Sequence, residues 1–387
     1  MSHFLVLGAG KMGVVLAKDL VEADDRNNVT LVDISSKQLQ RAEEFIKNKR
    51  LFPLQRDLED TKQREGIFEG KDVVLCALLH RQSLIALEDS VQKGLHFVDL
   101  VGEWPLERLR YNAKATKKRI TLISGLGVSP GITNICVGRA VQLLDEAEKA
   151  IIYVGGNPVH PRPPLSYRIV YAVDSLLGLY ERKVPVFKKG KITEVPALSG
   201  VESVEFPPSF EEMECFYTDG LNSLVFTMKG KIKNELAEKT IRHKGHADRI
   251  KTLKECGLFS NRSIRLRNQK VIPREVLGAV LDSRMKLGKE KDVTLMRVVV
   301  SGRKRGKFTT HIFEMIDTYD SKRHYTSMAK TTSFPASIAA QMIASGKIKR
   351  TGSLFPEEVF HAELFEPFMK GLKNRGVVVT HRVFSED

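Results

Sequence analysis

The sequence predicts an α/β protein, with an N-terminal doubly wound parallel sheet and a second, α+β domain. Three observations carry that prediction. Six short apolar runs alternate with helical patterns over residues 1–124. A glycine-rich loop, "LGAGKMG", separates the first run from the first helical pattern. After Gly125 the pattern gives way to longer β-like runs joined by turns.

The elements follow in order. Phe4-Leu5-Val6-Leu7 is a continuous apolar run, as expected of a parallel strand covered on both faces. Met12, Leu16 and Leu20, with Val15 beside them, share one face of a helix. Val29–Val32 forms a second strand ending at Asp33, and Ser35 or Ser36 can cap a helix carrying Leu39, Ala42, Phe45 and Ile46. Phe52–Gln55 is a weak third strand, which Pro53 confines to an edge or leaves irregular. Asp72–Ala77, His96–Asp99 and Ile120–Ile123 complete the set, with helices near 83–93 and 105–117.

A helix near 131–144 then leads to Ile151–Val154. Helical patterns near 245–256 and 273–286 interrupt the later β-like runs, and Val293–Val300 pairs with Phe308–Ile316 as a hairpin. The expected second domain spans 125–330, with a largely antiparallel or mixed sheet. Residues 331–387 are expected to return to the first domain. There Ser333-Phe334-Pro335 opens a helix through Ile338, Ala339, Met342 and Ile343, stopped by Gly346.

Composition narrows the class. Hydrophobic residues make up 42% and charged residues 28% of 387, ordinary for a globular enzyme. No apolar run approaches the ~20 residues that span a bilayer, and no secretory pattern opens the chain, so a cytoplasmic address is expected. Cys76, Cys136, Cys215 and Cys256 are far apart and form no C-x-x-C, so neither a metal site nor a disulfide framework is expected. The net charge of +15 is dispersed, and its densest patches, 188–191 and 303–307, read as turns. No nucleic-acid motif accompanies them; a basic surface that attracts anionic cofactors or substrates is the expectation.

The opening loop gains meaning from its surroundings. Gly8, Gly10 and Gly13 follow a strand and open a helix, the setting that a dinucleotide fingerprint requires. Gly8 permits the tight turn, Gly10 lets the backbone approach a pyrophosphate, and Gly13 allows close helix–strand contact. With Lys11 and Met12 they place unpaired N–H groups at a helix N-terminus. Asp33 stands about 20 residues on, where a carboxylate accepts both ribose hydroxyls. A 2′-phosphate would meet like charge there, so the expected cofactor is NAD rather than NADP, moderated by nearby Lys37. Ile34 belongs to the same turn. The first domain thus reads as a Rossmann domain.

Further cofactor contacts are expected at the carboxyl ends of the strands. Asp57 and Leu58 follow the third strand, Asp57 serving either adenine or the cap of the next helix. Ala77, Leu78 and Leu79 end the fourth strand, as cofactor wall or as core. His80 is a ribose contact or a surface residue. Gly127, Val128 and Pro130 lie in the loop "ISGLGVSPGITN" (123–134), which can bring backbone N–H groups near the nicotinamide.

That loop resembles its counterpart in the saccharopine dehydrogenase family, especially the L-lysine 6-dehydrogenase branch. "VPALSGVESVEFP" (195–207), "CFYTDGLNSL" (215–224), "AEKTIRHKGHADRIKTLKECGLF" (237–259) and "TTSFPASIAAQMI" (331–343) agree in order and spacing, so the resemblance covers nearly the whole chain. It implies an enzyme oxidising a C–N bond at the side-chain amine of lysine, or of a lysine-derived secondary amine, with hydride passing to NAD. It also implies a Rossmann domain, an α+β substrate and dimerisation domain, and a homodimer or larger homo-oligomer.

An amino-acid substrate requires a cation for its carboxylate, and a guanidinium binds it bidentately. Arg242, in a loop-like stretch beside His243, is the first candidate and Arg168 the second. Hydride loss needs the neutral amine, whose reference pKa is about 10.4, so a base must act first. His243 and Glu103 are the candidates, with Tyr217, Thr218 or Asp219 orienting the amine. Asp219 in "TDG" is equally an ordinary turn former. The rival readings are a saccharopine dehydrogenase acting on a secondary amine, and a non-catalytic nucleotide-sensing or nucleic-acid-binding protein.

Overall fold

The computed structural model describes residues 2–102 and 104–386 and, at Glu211, the backbone alone. The chain forms two compact units. The first comprises the chain up to Leu143, with Asn222–Met228 and Ala329–Val378; the second comprises Leu144–Leu221, Lys229–Met328 and the chain from Val379.

The first unit is built on a seven-stranded parallel sheet. Its strands β1 (Ser2–Leu7), β2 (Asn27–Asp33), β3 (Leu51–Gln55), β4 (Val73–Cys76), β5 (His96–Asp99) and β6 (Thr121–Ile123) run in the spatial order β6-β5-β4-β1-β2-β3. Phe4, Leu5, Val6 and Leu7 of β1 are all buried, because helices cover both faces of a central parallel strand. β3 carries Pro53 and sits at the edge, where a missing N–H breaks no inner ladder. Helix α1 (Lys11–Ala23) follows the glycine loop. Helix α2 (Ser36–Ile46) is capped by Ser35, whose hydroxyl accepts the Gln38 N–H at 3.3 Å.

Two features of this unit differ from expectation. The seventh strand, Gly352–Leu354, pairs with β6 and has no apolar run to announce it. The helix expected to open at Ser333 instead spans Ser327–Ala344, so Ser333 and Pro335 are interior. Its first N–H groups are capped from far away in sequence: Asp292 accepts from Ser327 at 2.7 Å and Met328 at 2.9 Å. Ser333 is no cap; its hydroxyl donates to the Met12 carbonyl at 2.8 Å. Gly346 does end the helix, at φ 69°.

The second unit holds a nine-stranded mixed sheet. Along its main path lie Glu202–Phe206, Phe210–Tyr217, Ile232–His243, Glu146–Pro158, Asp292–Lys304, Lys307–Thr318 and Thr380–Glu386. Ile232–His243 and Glu146–Pro158 pair in parallel, the remaining neighbours antiparallel. Helices Val173–Glu181, His246–Glu255 and Pro273–Arg284 pack a core of Leu177, Tyr180, Phe216, Ile250 and Leu281. The two basic patches are tight hairpin turns. Lys189-Gly190 and Arg305-Gly306 all have positive φ, as a two-residue loop between twisted strands requires. Asp145 holds the second turn through the Arg305 N–H at 2.7 Å. Arg242 and His243 lie on the strand Ile232–His243 and not in a loop. Among the described residues no helix is long and apolar enough to cross a membrane.

Candidate active site

In the first unit the glycine loop is shaped by three separate constraints. Gly8 sits at φ 100°, and a Cβ there would lie 2.9 Å from Leu78 Cδ2. A Cβ on Gly13 would fall 1.8 Å from the Gly8 carbonyl oxygen, so α1 and the turn touch backbone to backbone. Gly10, at the N-cap of α1, has open space around its missing Cβ and no side-chain cap. The first-turn N–H groups of α1 are thereby left for an anion, without an acidic side chain in that turn. Lys11 is exposed there, and Met12 is half-buried.

Asp33 is fixed where β2 ends. One carboxylate oxygen accepts the Ala9 N–H at 2.7 Å and the other the Ser35 N–H at 2.8 Å. Each oxygen keeps a second lone pair for a ribose hydroxyl. Ile34 is exposed beside it, and its carbonyl accepts from Gln55 at 3.0 Å. These residues fit a dinucleotide.

Other candidates around this sheet are placed as follows. Asp57 accepts the Glu59 N–H at 2.8 Å, and the helix beyond it is capped by Asp60. Leu58 is buried in core with Ile67 and Phe68 rather than on a binding surface. Ala77 donates its N–H to Leu7 at 2.8 Å, Leu78 is half-buried, and Leu79 is exposed. His80 starts the helix His80–Lys93 with Nε2 at 3.4 Å from Glu107. Glu103 lies outside the described residues.

The loop 123–134 spends its own amides. Gly125 donates to Asp99 Oδ1 at 3.0 Å, Leu126 to the Asp99 carbonyl at 2.9 Å, and Gly127 to the Pro130 carbonyl at 2.8 Å. The Gly127 N–H is therefore not offered to a ligand. Val128 is buried, and half-buried Pro130 packs against Gly102 and Gly125.

Beneath that loop lies a charge cluster that sequence reasoning missed. Arg108 and Asp99, both fully buried, pair at 2.5 Å, with the Ser83 hydroxyl 2.5 Å from the same carboxylate. Arg108 also reaches Ser124 at 3.3 Å. In sequence Arg108 reads as one more surface charge on a short helix; the Asp that ends β5 is the only local hint.

A second buried acid, Glu357, joins three segments of this unit. It accepts from Thr227 at 2.6 Å and Asn134 at 3.4 Å, with no cation beside it among the described residues. Burial pushes its carboxyl above the usual range, against the opposing pull of Thr227 and Ser223. A raised carboxyl contributes stability that is complete below the ordinary glutamate range and is lost as pH rises through the folded value. Glu357→Gln should therefore match the parent near pH 4 and exceed it by about 1–3 kcal/mol at pH 8. Denaturant melts at the two pH values check this; a variant less stable at pH 8 contradicts it.

In the second unit Arg242 is 2% exposed. Its Nη1 donates to the Ile241 carbonyl at 2.8 Å, its Nε faces the Tyr180 hydroxyl at 3.4 Å, and its guanidinium lies 4.6 Å above the Tyr167 ring. No carboxylate pairs with it among the described residues. Its neighbours are neutral. His246 contacts the Leu165 carbonyl through Nδ1 at 2.9 Å and Tyr180 through Nε2 at 2.8 Å, and burial pushes it down to about 3, helped by Arg242. Burial pushes Tyr180 up to about 12. Burial pushes the Tyr167 hydroxyl up as well, against the pull of Arg242. A buried cation whose neighbours are neutral carries charge that no carboxylate among the described residues offsets. Arg168 is already neutralised by Glu290 at 3.0 Å.

The remaining candidates are not brought to Arg242. His243 is its neighbour on one strand, so the two side chains take opposite faces. His243 Nε2 lies 2.9 Å from the Pro158 carbonyl, and burial lowers its basicity. Tyr217 carries Lys239 at 4.7 Å and Lys188 at 5.3 Å over its ring, and it packs on Gly200. Thr218 is buried against the Thr240 hydroxyl at 2.8 Å. Asp219 pairs with Arg182 at 3.0 Å. Among the described residues no group of three or more His, Cys, Asp or Glu is placed to hold a metal.

Comparison with known proteins adds to this geometry. The family model for the saccharopine dehydrogenase NADP binding domain matches residues 4–123, and that for the saccharopine dehydrogenase C-terminal domain matches residues 127–377. Saccharopine dehydrogenase [NADP(+), L-glutamate-forming] of Schizosaccharomyces pombe is 20% identical over 467 residues, covering 100% of each chain. The mitochondrial alpha-aminoadipic semialdehyde synthase of Mus musculus is 20% identical over 97% of this chain and 47% of its own. The solved apo saccharopine dehydrogenase (L-Glu forming) of Saccharomyces cerevisiae shares the fold, with a TM-score of 0.82 at 18% identity over 99% of this chain and 100% of the other. The fold class expected from the sequence is the one observed.

Proposed function

Because the chain belongs to the saccharopine dehydrogenase family, we propose that it is an oxidoreductase acting on a C–N bond of an amino acid. In this reading the substrate is L-lysine, oxidised at the ε-carbon to the semialdehyde with release of ammonia. The observation that carries the amino-acid reading is the buried Arg242 guanidinium, which no carboxylate among the described residues pairs. It supplies the charge and planar fork that a substrate carboxylate needs.

Bound NAD would supply the hydride acceptor. Gly10 and the first turn of α1 hold its pyrophosphate, and Asp33 accepts its ribose hydroxyls. The saccharopine dehydrogenases of Schizosaccharomyces pombe and Saccharomyces cerevisiae are named as NADP(+) enzymes, but a 2′-phosphate here would lie against the Asp33 carboxylate. Asp33→Ala should weaken NAD about tenfold and erode discrimination against NADP by a similar factor. Titrating both dinucleotides against parent and variant checks this; an unchanged preference removes Asp33 from the role.

The ammonium must lose a proton before hydride leaves. His243 faces away from Arg242 on its strand and is buried, which disfavours it as the base for a substrate held by Arg242. Glu103, soon after β5 in the chain, is the base in this reading. Glu103→Gln should lower kcat about 10²-fold or more, whereas His243→Gln should leave the pH profile in place. The reverse outcome would transfer the role to His243.

The names of the relatives support a second reading, saccharopine itself as substrate. The deciding experiment compares dinucleotide reduction by L-lysine and by saccharopine across pH, with NAD and with NADP. Lysine with NAD is the expected pair. Faster turnover of saccharopine selects the second reading, and no turnover of either with dinucleotide binding intact rejects both.

A further inference from the structure

The first unit contains a cavity of about 460 Å³ that nothing above uses. It opens at the amino ends of β1 and β2, whereas the glycine loop follows the carboxyl end of β1. Phe4, Ile338 and Met342, each nearly buried, give it an apolar floor. Arg26, Lys347 and Arg375 stand around it.

Two of these three cations are neutralised. Arg26 chelates Asp24 at 3.0 and 2.7 Å, and Arg375 Nε holds both oxygens of Asp19 at 2.8 and 2.9 Å. The Lys347 ammonium has no ion-pair or hydrogen-bond partner among the described residues. The wall therefore presents one unpaired ammonium beside an apolar floor and a polar rim that includes Ser2, Asn27, Gln341 and Ser345, in a volume suited to a small metabolite. That chemistry selects an amphiphile with one carboxylate.

The cavity is also mechanically joined to the dinucleotide loop. α1 starts at that loop and ends at Ala23 on the cavity wall. Helix Ser327–Ala344 is bonded to α1 at two points: Ser333 donates to the Met12 carbonyl at 2.8 Å and Ser337 to Asp19 at 2.6 Å. Gln341, on the cavity wall, donates to Ser337 at 2.9 Å. A ligand seated here would touch Ala23 at the end of α1 and Ile338, Gln341 and Met342 of the helix Ser327–Ala344.

We propose that this cavity is a regulatory site for a small amphiphilic carboxylate, and that its occupation changes the affinity of the glycine loop for dinucleotide. This goes beyond the oxidoreductase reading and does not depend on which amine is oxidised.

Hexanoate is a suitable probe, titrated calorimetrically into the full chain without dinucleotide. Saturable 1:1 binding is expected. Lys347→Ala should weaken it about tenfold through loss of the charge, and Ala344→Trp, at an exposed wall position, should abolish it by filling the cavity. Sulfate, which has charge but no tail, should not compete. No saturation, equal binding to both variants, or equal displacement by sulfate (an adventitious ion only) overturns the site. The Kd of NAD should then change in saturating hexanoate, and the Kd of hexanoate should change by the same factor in saturating NAD. Two unchanged constants overturn the regulatory role. Neither arm requires substrate turnover, so failure here is distinct from failure of the lysine reading.

Discussion

Arg242→Met is expected to lower kcat/KM for the amino-acid substrate about 10³-fold while leaving dinucleotide affinity unchanged. Two charge-assisted hydrogen bonds to a carboxylate, at about 1.5–3 kcal/mol each, set that scale. Arg242→Lys should rescue little, because an ammonium lacks the planar fork and the stacking on Tyr167. Stability provides an independent readout. A purely structural arginine would be missed by the fold, but here methionine removes a buried charge that no carboxylate among the described residues offsets. Isosteric replacement of uncompensated buried charge is neutral or stabilising. The variant should therefore melt at or above the parent temperature while losing turnover. Full turnover in the variant would end the carboxylate assignment, and a large fall in Tm would mark the arginine as structural.

How far the site was legible in the sequence depends on how local its causes are. The glycine loop and Asp33 were readable because each glycine answers a constraint within one strand–turn–helix unit, and Asp33 ends the next strand. The two hairpins were readable for the same reason, with Gly190 and Gly306 completing turns of positive φ. The strand of Arg242 carries Glu238, Lys239, Thr240, Arg242 and His243, all buried, so its sequence resembles a loop. Polar side chains at buried positions erase the apolar run that marks a central strand. The first turn of helix Ser327–Ala344 was missed because its cap is Asp292, on a strand remote in sequence. Gly352–Leu354 was missed because three residues acquire strand character only by pairing with β6. Long-range partners decided each of these, and a single sequence does not display them.

The Asp99–Arg108 pair should show the largest stability effect in the molecule. Arg108→Met leaves a carboxylate buried with the Ser83 hydroxyl and the Gly125 amide as its donors among the described residues, and breaking a buried pair from one side costs about 3–5 kcal/mol. Asp99→Asn added to it should recover much of that loss. An asparagine oxygen still accepts the Gly125 N–H, and no charge is left behind. The recovery separates two roles for the carboxylate, as a charge and as an acceptor that shapes the 123–134 loop. If the acceptor role is what matters for the site, the double variant should regain dinucleotide affinity together with stability. Denaturant melts and NAD titration of the single and double variants decide this. A single variant within about 1 kcal/mol of the parent would mean that the interior at Arg108 tolerates a lone carboxylate, contrary to the cost of burying unpaired charge.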